Sequence, residues 1–262
     1  MPVNIPTPMA FFLTIPISFF LKRPIPFLPL NQTRVSPLLE TQSQLRYTQP
    51  HEPGISNGET PNVFASPNVR KRMADIDPMT RFPVPDVESL PEDLQERIED
   101  ETERAGFTPN VFLAYAYRPS HFRAFFDYYD ALVEDTELTR LEIEMIIVAV
   151  SGANDCYYCN TAHGALVRLY GDDPLLADQL VSNYRNADVS DRHRAMLDLA
   201  VTLTENQAAV EESDLEALED HGFSRRAIWD IGSVAAFFNL SNRMAQLADM
   251  RPNEEFHTLG RE

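Results

Sequence analysis

The sequence predicts an all-α protein, and three features carry that prediction. Apolar residues recur three and four apart at Ile228, Ile231, Val234, Ala235, Phe238 and Met244, the period of one helix face. Helix-start residues and stop glycines punctuate the chain from about residue 85 to 251. No segment alternates apolar and polar residues as a half-buried strand does.

The first stretch, 1–75, reads as a largely unstructured leader. Twelve of the twenty prolines fall within residues 1–72, and neither a helical nor a strand period is visible there. Its apolar run from Met9 to Leu21 contains Pro16 and falls short of the roughly twenty residues that a spanning helix needs. No Lys or Arg precedes the run, while Lys22 and Arg23 follow it, the reverse of a secretory signal. Composition changes in one step near Met73 and Met79, which makes either a candidate start of the folded protein.

From 85 to 186 the sequence reads as one helical half. Ser89-Leu-Pro-Glu92 has the form of a capping box, and Gly106 is placed to stop that helix. The aromatic run Phe122, Phe125, Phe126, Tyr128 and Tyr129 fits core or subunit contacts. Thr139-Arg-Leu-Glu142 is a second capping box, and its helix is apolar all round by Ile146 to Val150, the mark of a buried helix. A second half, 187–251, opens at Ser190, continues with a short acidic helix from Ser213 to His221, stops at Gly222, and ends with a long helix from Ser224 to about Met250. Residues 252–262 read as a tail.

Charge narrows the function. Residues 1–72 carry a net +4, and the remainder −22. From Met73 onward there is no Lys, and fifteen Arg face thirty-seven Asp and Glu. Such a surface repels phosphates and anionic lipid, so neither a nucleic-acid nor a membrane role is expected.

The chemistry concentrates in Asn154-Asp-Cys-Tyr-Tyr-Cys-Asn-Thr-Ala-His163, which holds both cysteines of the chain. With Asp155 as N-cap, Cys156 falls at the first helical position, Cys159 near the fourth, and His163 one turn further on the same face. A helix N-terminus stabilises a thiolate, the nucleophilic form, and two thiols at this spacing can close reversibly into a disulfide. By this argument Cys156, nearest the dipole, is the more acidic. Glu144 lies on the face of Leu141, Met145 and Val148, where a carboxylate is costly to bury alone; it is either a rim residue facing water or a base coupled to the thiols. Alternatives stay open: His163 as a structural histidine, the cysteines as packed core residues, or a zinc site built from Cys156, Cys159, His163 and Glu144. One helix would supply three of those four ligands, whereas structural zinc draws on separated pairs. Tyr115, Tyr117, Phe125 and Trp229 are candidates for an apolar access channel or for core packing.

Glu144, eleven residues, Cys156-x-x-Cys159, three residues and His163 together resemble the motif of the AhpD-like alkylhydroperoxidases, within the carboxymuconolactone decarboxylase-like superfamily. Thr108-Pro-Asn-Val-Phe112 and Phe237-Phe-Asn-Leu-Ser-Asn-Arg243 are similar to its peroxidase-related subgroup. The resemblance implies an AhpD-like helical bundle of two related halves, only one bearing thiols, assembled as a homo-oligomer. It implies a cytoplasmic, cofactor-independent enzyme that takes a peroxide substrate and an external dithiol reductant. It also implies that Cys159 is oxidised by peroxide and Cys156 resolves it, with Glu144 and His163 relaying protons, against the helix argument that favours Cys156. The best-known members carry a histidine where this chain has Tyr158, a hydroxyl whose ordinary pKa of about 10 unfits it for proton shuttling at neutral pH. The wider superfamily offers a rival, a decarboxylase or lactone-processing enzyme, with Arg118, Arg123 or Arg243 to hold a carboxylate; a third reading is a non-catalytic redox or zinc-stabilised oligomer, in which the cysteines only lock a helix or bind metal.

Overall fold

A computed structural model describes residues 77–261; the proposed leader, with its apolar run and Met73, lies outside them. The described residues form ten α-helices and no strand, with one isolated antiparallel bridge between Met79 and Met250. The all-α expectation therefore holds. The helices are α1 (Glu92–Ala105), α2 (Asn110–Ala116), α3 (Pro119–Glu134), α4 (Arg140–Ala153), α5 (Tyr157–Gly171), α6 (Leu176–Asn183), α7 (Asp191–Glu205), α8 (Glu212–Asp220), α9 (Arg225–Ala248) and α10 (Glu255–Thr258). None among the described residues is long and apolar enough to cross a membrane.

Helix α4 is the axis of the fold. It packs against α5, α6, α7 and α9, and Met145, Ile146, Ile147, Val148 and Val150 are all fully buried. Each such side chain contributes about 1.5 to 3 kcal/mol on burial, so the apolar run that marked this helix in the sequence is the hydrophobic centre of the molecule. Its start is the expected capping box: Glu142 N donates to Thr139 Oγ1 at 3.2 Å, and Thr139 N donates back to Glu142 Oε2 at 2.8 Å. Ser190 and Ser224 cap α7 and α9 through the amides of His193 and Ala227. Gly106 ends α1 at φ +81°, a conformation that favours glycine.

Two helix starts away from the cysteines differ from expectation. The Ser89 capping box does not form, because α1 begins at Glu92 with Pro91 as its N-cap. Ser89 Oγ instead donates to Asp86 O at 2.7 Å and closes a short 3-10 turn. Helix α8 begins one residue early, and its box is acidic, formed by Glu211 and Asp214. The segment read as a tail is folded: it contains α10 and packs against α5.

Candidate functional site

The link between α4 and α5 is only three residues long, and this sets the position of the thiols. Asp155 takes a left-handed conformation at φ +52°, and Cys156 N donates to Ser151 O at 2.9 Å to close the turn. Asp155 is therefore spent on the turn and is not the N-cap. Cys156 takes that place, and α5 starts at Tyr157, one residue later than the sequence argument had it. Cys159 is then the third helical residue.

Both cysteines are buried, each 1% exposed, and both are free thiols. Their environments are unequal. The Cys159 thiol beside it holds Cys156 below the ordinary thiol range against the opposing effect of burial, helped by the amide of Cys159, the Asn242 side chain and the amide of Tyr158. Cys159 is pushed well above that range by donation to Cys156, by burial and by the charge of Cys156, with Asn242 and Ser241 opposing. The backbone amides act on Cys156 without closing a side-chain cap hydrogen bond. These shifts run in opposite directions, with Cys156 the more acidic of the two, and the first cause is the neighbouring thiol rather than the helix end.

Asn242, 1% exposed, joins the pair to the scaffold. Its amide donates to Ser151 Oγ at 2.9 Å, and its carbonyl accepts from Asn154 Nδ2 at 2.9 Å. Asn154 donates also to Asn239 Oδ1 at 3.0 Å. The phrase 237–243 therefore supplies several of α9's polar contacts to the thiol turn, and Gln246 of the same helix adds one by donating to Asp155 O at 2.7 Å. The phrase 108–112 supplies another: Val111 N donates to the hydroxyl of Tyr158 at 3.1 Å. Burial pushes the Tyr158 hydroxyl far up, with that hydrogen bond opposing, so it holds α2 in place as a phenol.

One turn beyond Cys159, His163 Nδ1 meets Glu144 Oε2 at 2.7 Å. Glu144 is completely buried, which excludes the rim reading. Its hydrogen-bond partner is His163, not a sulfur. Arg140 Nη2 stands 2.9 Å from the other carboxylate oxygen, at ion-pair distance without hydrogen-bond alignment. The same guanidinium donates to Tyr129 Oη at 2.8 Å and faces the rings of Tyr129 and Tyr170. His163 is also set edge-on against Phe238, at 4.8 Å between ring centres.

Cys159 and His163 open on a cavity of about 410 Å³. Its walls are aromatic, including Phe112, Phe125, Phe126 and Phe238, with Ser241 beside the sulfur; Cys156 and Glu144 lie behind this lining. Of the proposed channel residues, Phe125 lines the cavity and Tyr115 stacks behind it at 3.9 Å. Tyr117 and Trp229 are 45% and 76% exposed and line nothing here. Arg118, Arg123 and Arg243 are likewise outside the cavity; Arg123 is paired with Asp93 at 2.6 Å and Arg243 with Asn239. No three His, Cys, Asp or Glu side chains among the described residues are grouped to hold a metal ion, so the four zinc candidates do not converge.

Sequence reasoning missed Arg140, Asn242 and Ser241. Arg140 was readable as the i−4 partner of Glu144. Asn242 was readable as an amide on a helix face that is otherwise apolar, a placement that needs buried hydrogen bonds.

The model of the carboxymuconolactone decarboxylase family matches residues 119–174, which contain Glu144, both cysteines and His163. An uncharacterised peroxidase-related protein from Ralstonia eutropha JMP134, described as an alkylhydroperoxidase AhpD core, is 52% identical over 71% of this chain and 98% of its own, with a TM-score of 0.69. A peroxidase-related protein from Silicibacter sp. TM1040 is 43% identical over 71% of this chain and 97% of its own, with a TM-score of 0.67. The debrominase Bmp8, at 17% identity over 64% of this chain and 90% of its own and a TM-score of 0.56, shares the fold alone. No curated protein matches the chain.

Proposed function

This chain belongs to the AhpD-like family within the carboxymuconolactone decarboxylase-like superfamily, and on that premise we propose that it reduces organic hydroperoxides with its paired thiols. One observation carries the reading. Cys159 and His163 open on the same aromatic cavity, and a fully buried carboxylate is bonded to Nδ1 of that histidine.

In this scheme Cys156 holds the thiolate at rest, and Cys159 donates its S–H to it. When a hydroperoxide enters, the Cys159 proton passes to Cys156 and the Cys159 thiolate attacks the distal peroxide oxygen. An S–O bond forms as the O–O bond breaks. The departing alkoxide takes the proton back from Cys156 and leaves as an alcohol, with Cys159 now a sulfenic acid. Cys156, again a thiolate, attacks that sulfur; hydroxide departs, takes a proton delivered through His163, and leaves as water. Glu144 fixes the histidine with its proton on Nδ1, so that Nε2 is free for this transfer. The resulting disulfide is reduced by an external dithiol, which is oxidised in turn.

The two arguments over the cysteines are compatible here: the Cys159 thiol, aided by nearby amides, favours the resting charge on Cys156, while the cavity presents the peroxide to Cys159. The carboxylate-processing alternative finds no support in the cavity. Its arginines already face acids, Arg97 with Asp130 at 2.8 Å, Arg104 with Glu101, and Arg140 with Glu144. Assembly of several copies fits the same reading, since Trp229, Leu240 and Leu247 leave apolar surface exposed along α9.

Mass spectrometry after stoichiometric cumene hydroperoxide tests the scheme. The wild type should lose two hydrogens as the disulfide closes, and Cys156→Ala should hold a trappable sulfenic acid on Cys159. Unchanged free thiols in both would end the peroxidase reading.

A further inference from the structure

The cavity has a wall that comes from the far end of the chain. Phe256 and Leu259 line it beside Phe107, and Phe256 packs edge-on against Phe107 at 5.0 Å between ring centres. This C-terminal segment is stitched down at three places. Asn253 accepts from Asn110 N at 2.8 Å and donates to Thr108 O at 2.9 Å, which ties it to the start of α2. Arg261 makes a two-pronged pair with Asp178 of α6, both contacts at 3.0 Å. Between them, Arg168 of α5 donates to Phe256 O at 2.7 Å and to Leu259 O at 2.9 Å.

The Arg168 contact is the most constrained. The residue is 4% exposed, and burying a guanidinium is costly unless it is fully engaged. Here it is spent on two backbone carbonyls of the segment. Gly260 follows at φ +74°, and a Cβ placed there would lie 2.8 Å from Arg168 Cβ, so only glycine lets the chain pass this close. Arg168 belongs to the same helix as Cys159 and His163. One rigid element therefore holds the reactive sulfur at one end and the wall at the other.

The remaining lining says what the wall faces. Aromatic rings dominate it, and the arginines on the cavity are already matched by carboxylates. A space of about 410 Å³ exceeds what a hydrogen peroxide molecule fills, and the charge of each arginine on it is already offset by a carboxylate at ion-pair distance.

We infer that the C-terminal segment, through Phe256 and Leu259, is the substrate-selecting wall of this cavity, shaping it for hydroperoxides with an uncharged aromatic or branched apolar body. This inference rests on the peroxidase reading for the word hydroperoxide, but the selectivity of the wall is measurable without turnover. The probe is 2-phenyl-2-propanol, the alcohol left by cumene hydroperoxide, compared by calorimetry with tert-butanol and with benzoate. Wild-type protein should bind the aromatic alcohol about tenfold more tightly than either competitor, and Phe256→Ala should lose about tenfold in that affinity. Leu259→Ala should lose less, and it serves as the second variant should Phe256→Ala melt at a lower temperature than the assay allows. In turnover, Phe256→Ala should lower the ratio of kcat/KM for cumene hydroperoxide over hydrogen peroxide by about tenfold. Benzoate binding as tightly as the alcohol, or alcohol affinity unchanged in both folded variants, would overturn the assignment. If the binding pattern holds and no peroxide is turned over, the wall stands and the peroxidase reading falls.

Discussion

Glu142 and Glu144 stand two residues apart on α4, and both are buried, at 4% and 0% exposure, yet they occupy different regions of the molecule. Glu142 belongs to the helix start. Its carboxylate accepts from the backbone and hydroxyl of Thr139 at 2.8 and 2.9 Å and from Arg192 of α7. Glu144 faces α5 and the cavity side, where His163 and Arg140 hold it. A buried carboxylate is therefore not in itself a functional mark. Glu142 is satisfied by a cap and a cross-helix ion pair, groups that exist to hold the fold. Glu144 has one oxygen bonded to a histidine that lines the cavity beside a thiol, and its other oxygen faces Arg140 without a hydrogen bond.

The same substitution at both positions separates the two roles. Glu144→Gln keeps the shape and removes the charge that orients His163, and peroxide turnover should fall by about 100-fold or more, the range in which positioned acid-base groups act. Steady-state kinetics on the purified variant measures it. Glu142→Gln should leave turnover in place and lower stability by about 1 to 2 kcal/mol, because it loses charge-assisted hydrogen bonds while the amide still accepts from Thr139. Denaturant unfolding reads that loss. Equal losses of activity in the two variants would erase the distinction drawn here.

Much of this was legible in the sequence. The Thr139 box, the Ser190 and Ser224 caps and the Gly106 stop depend on neighbours within a few residues, and all formed as local rules require. The spacing that links Glu144, the cysteines and His163 was visible as a pattern, and the first and last of these meet at 2.7 Å. What local reading could not supply was geometry set by distant parts. Asp155 looks like an N-cap until the three-residue link from α4 forces it into the left-handed region. Arg168 looks like a surface arginine near a helix end, and only the return of residues 251–261 buries it. Asn242 looks like one amide among apolar residues, and its partners Ser151 and Asn154 lie about ninety positions away.

Ser190 Oγ accepts from His193 N at 3.2 Å and caps α7, whose first turn carries Arg192 to Glu142; His193 Nε2 lies 3.7 Å from the same carboxylate. Ser190→Ala should cost about 1 kcal/mol, the usual value of a lost N-cap. If the cap and Glu142 belong to one structural unit, the loss should not add simply to that of Glu142→Gln, since a frayed first turn already weakens the Arg192 contact. Combined with Glu144→Gln, the same cap loss should add within about 0.5 kcal/mol, because those groups share no partner. Two double-mutant cycles in denaturant decide it: coupling of Ser190 to Glu144 as strong as to Glu142 would mean that the cap region and the cavity side are one unit, and that the division between them fails.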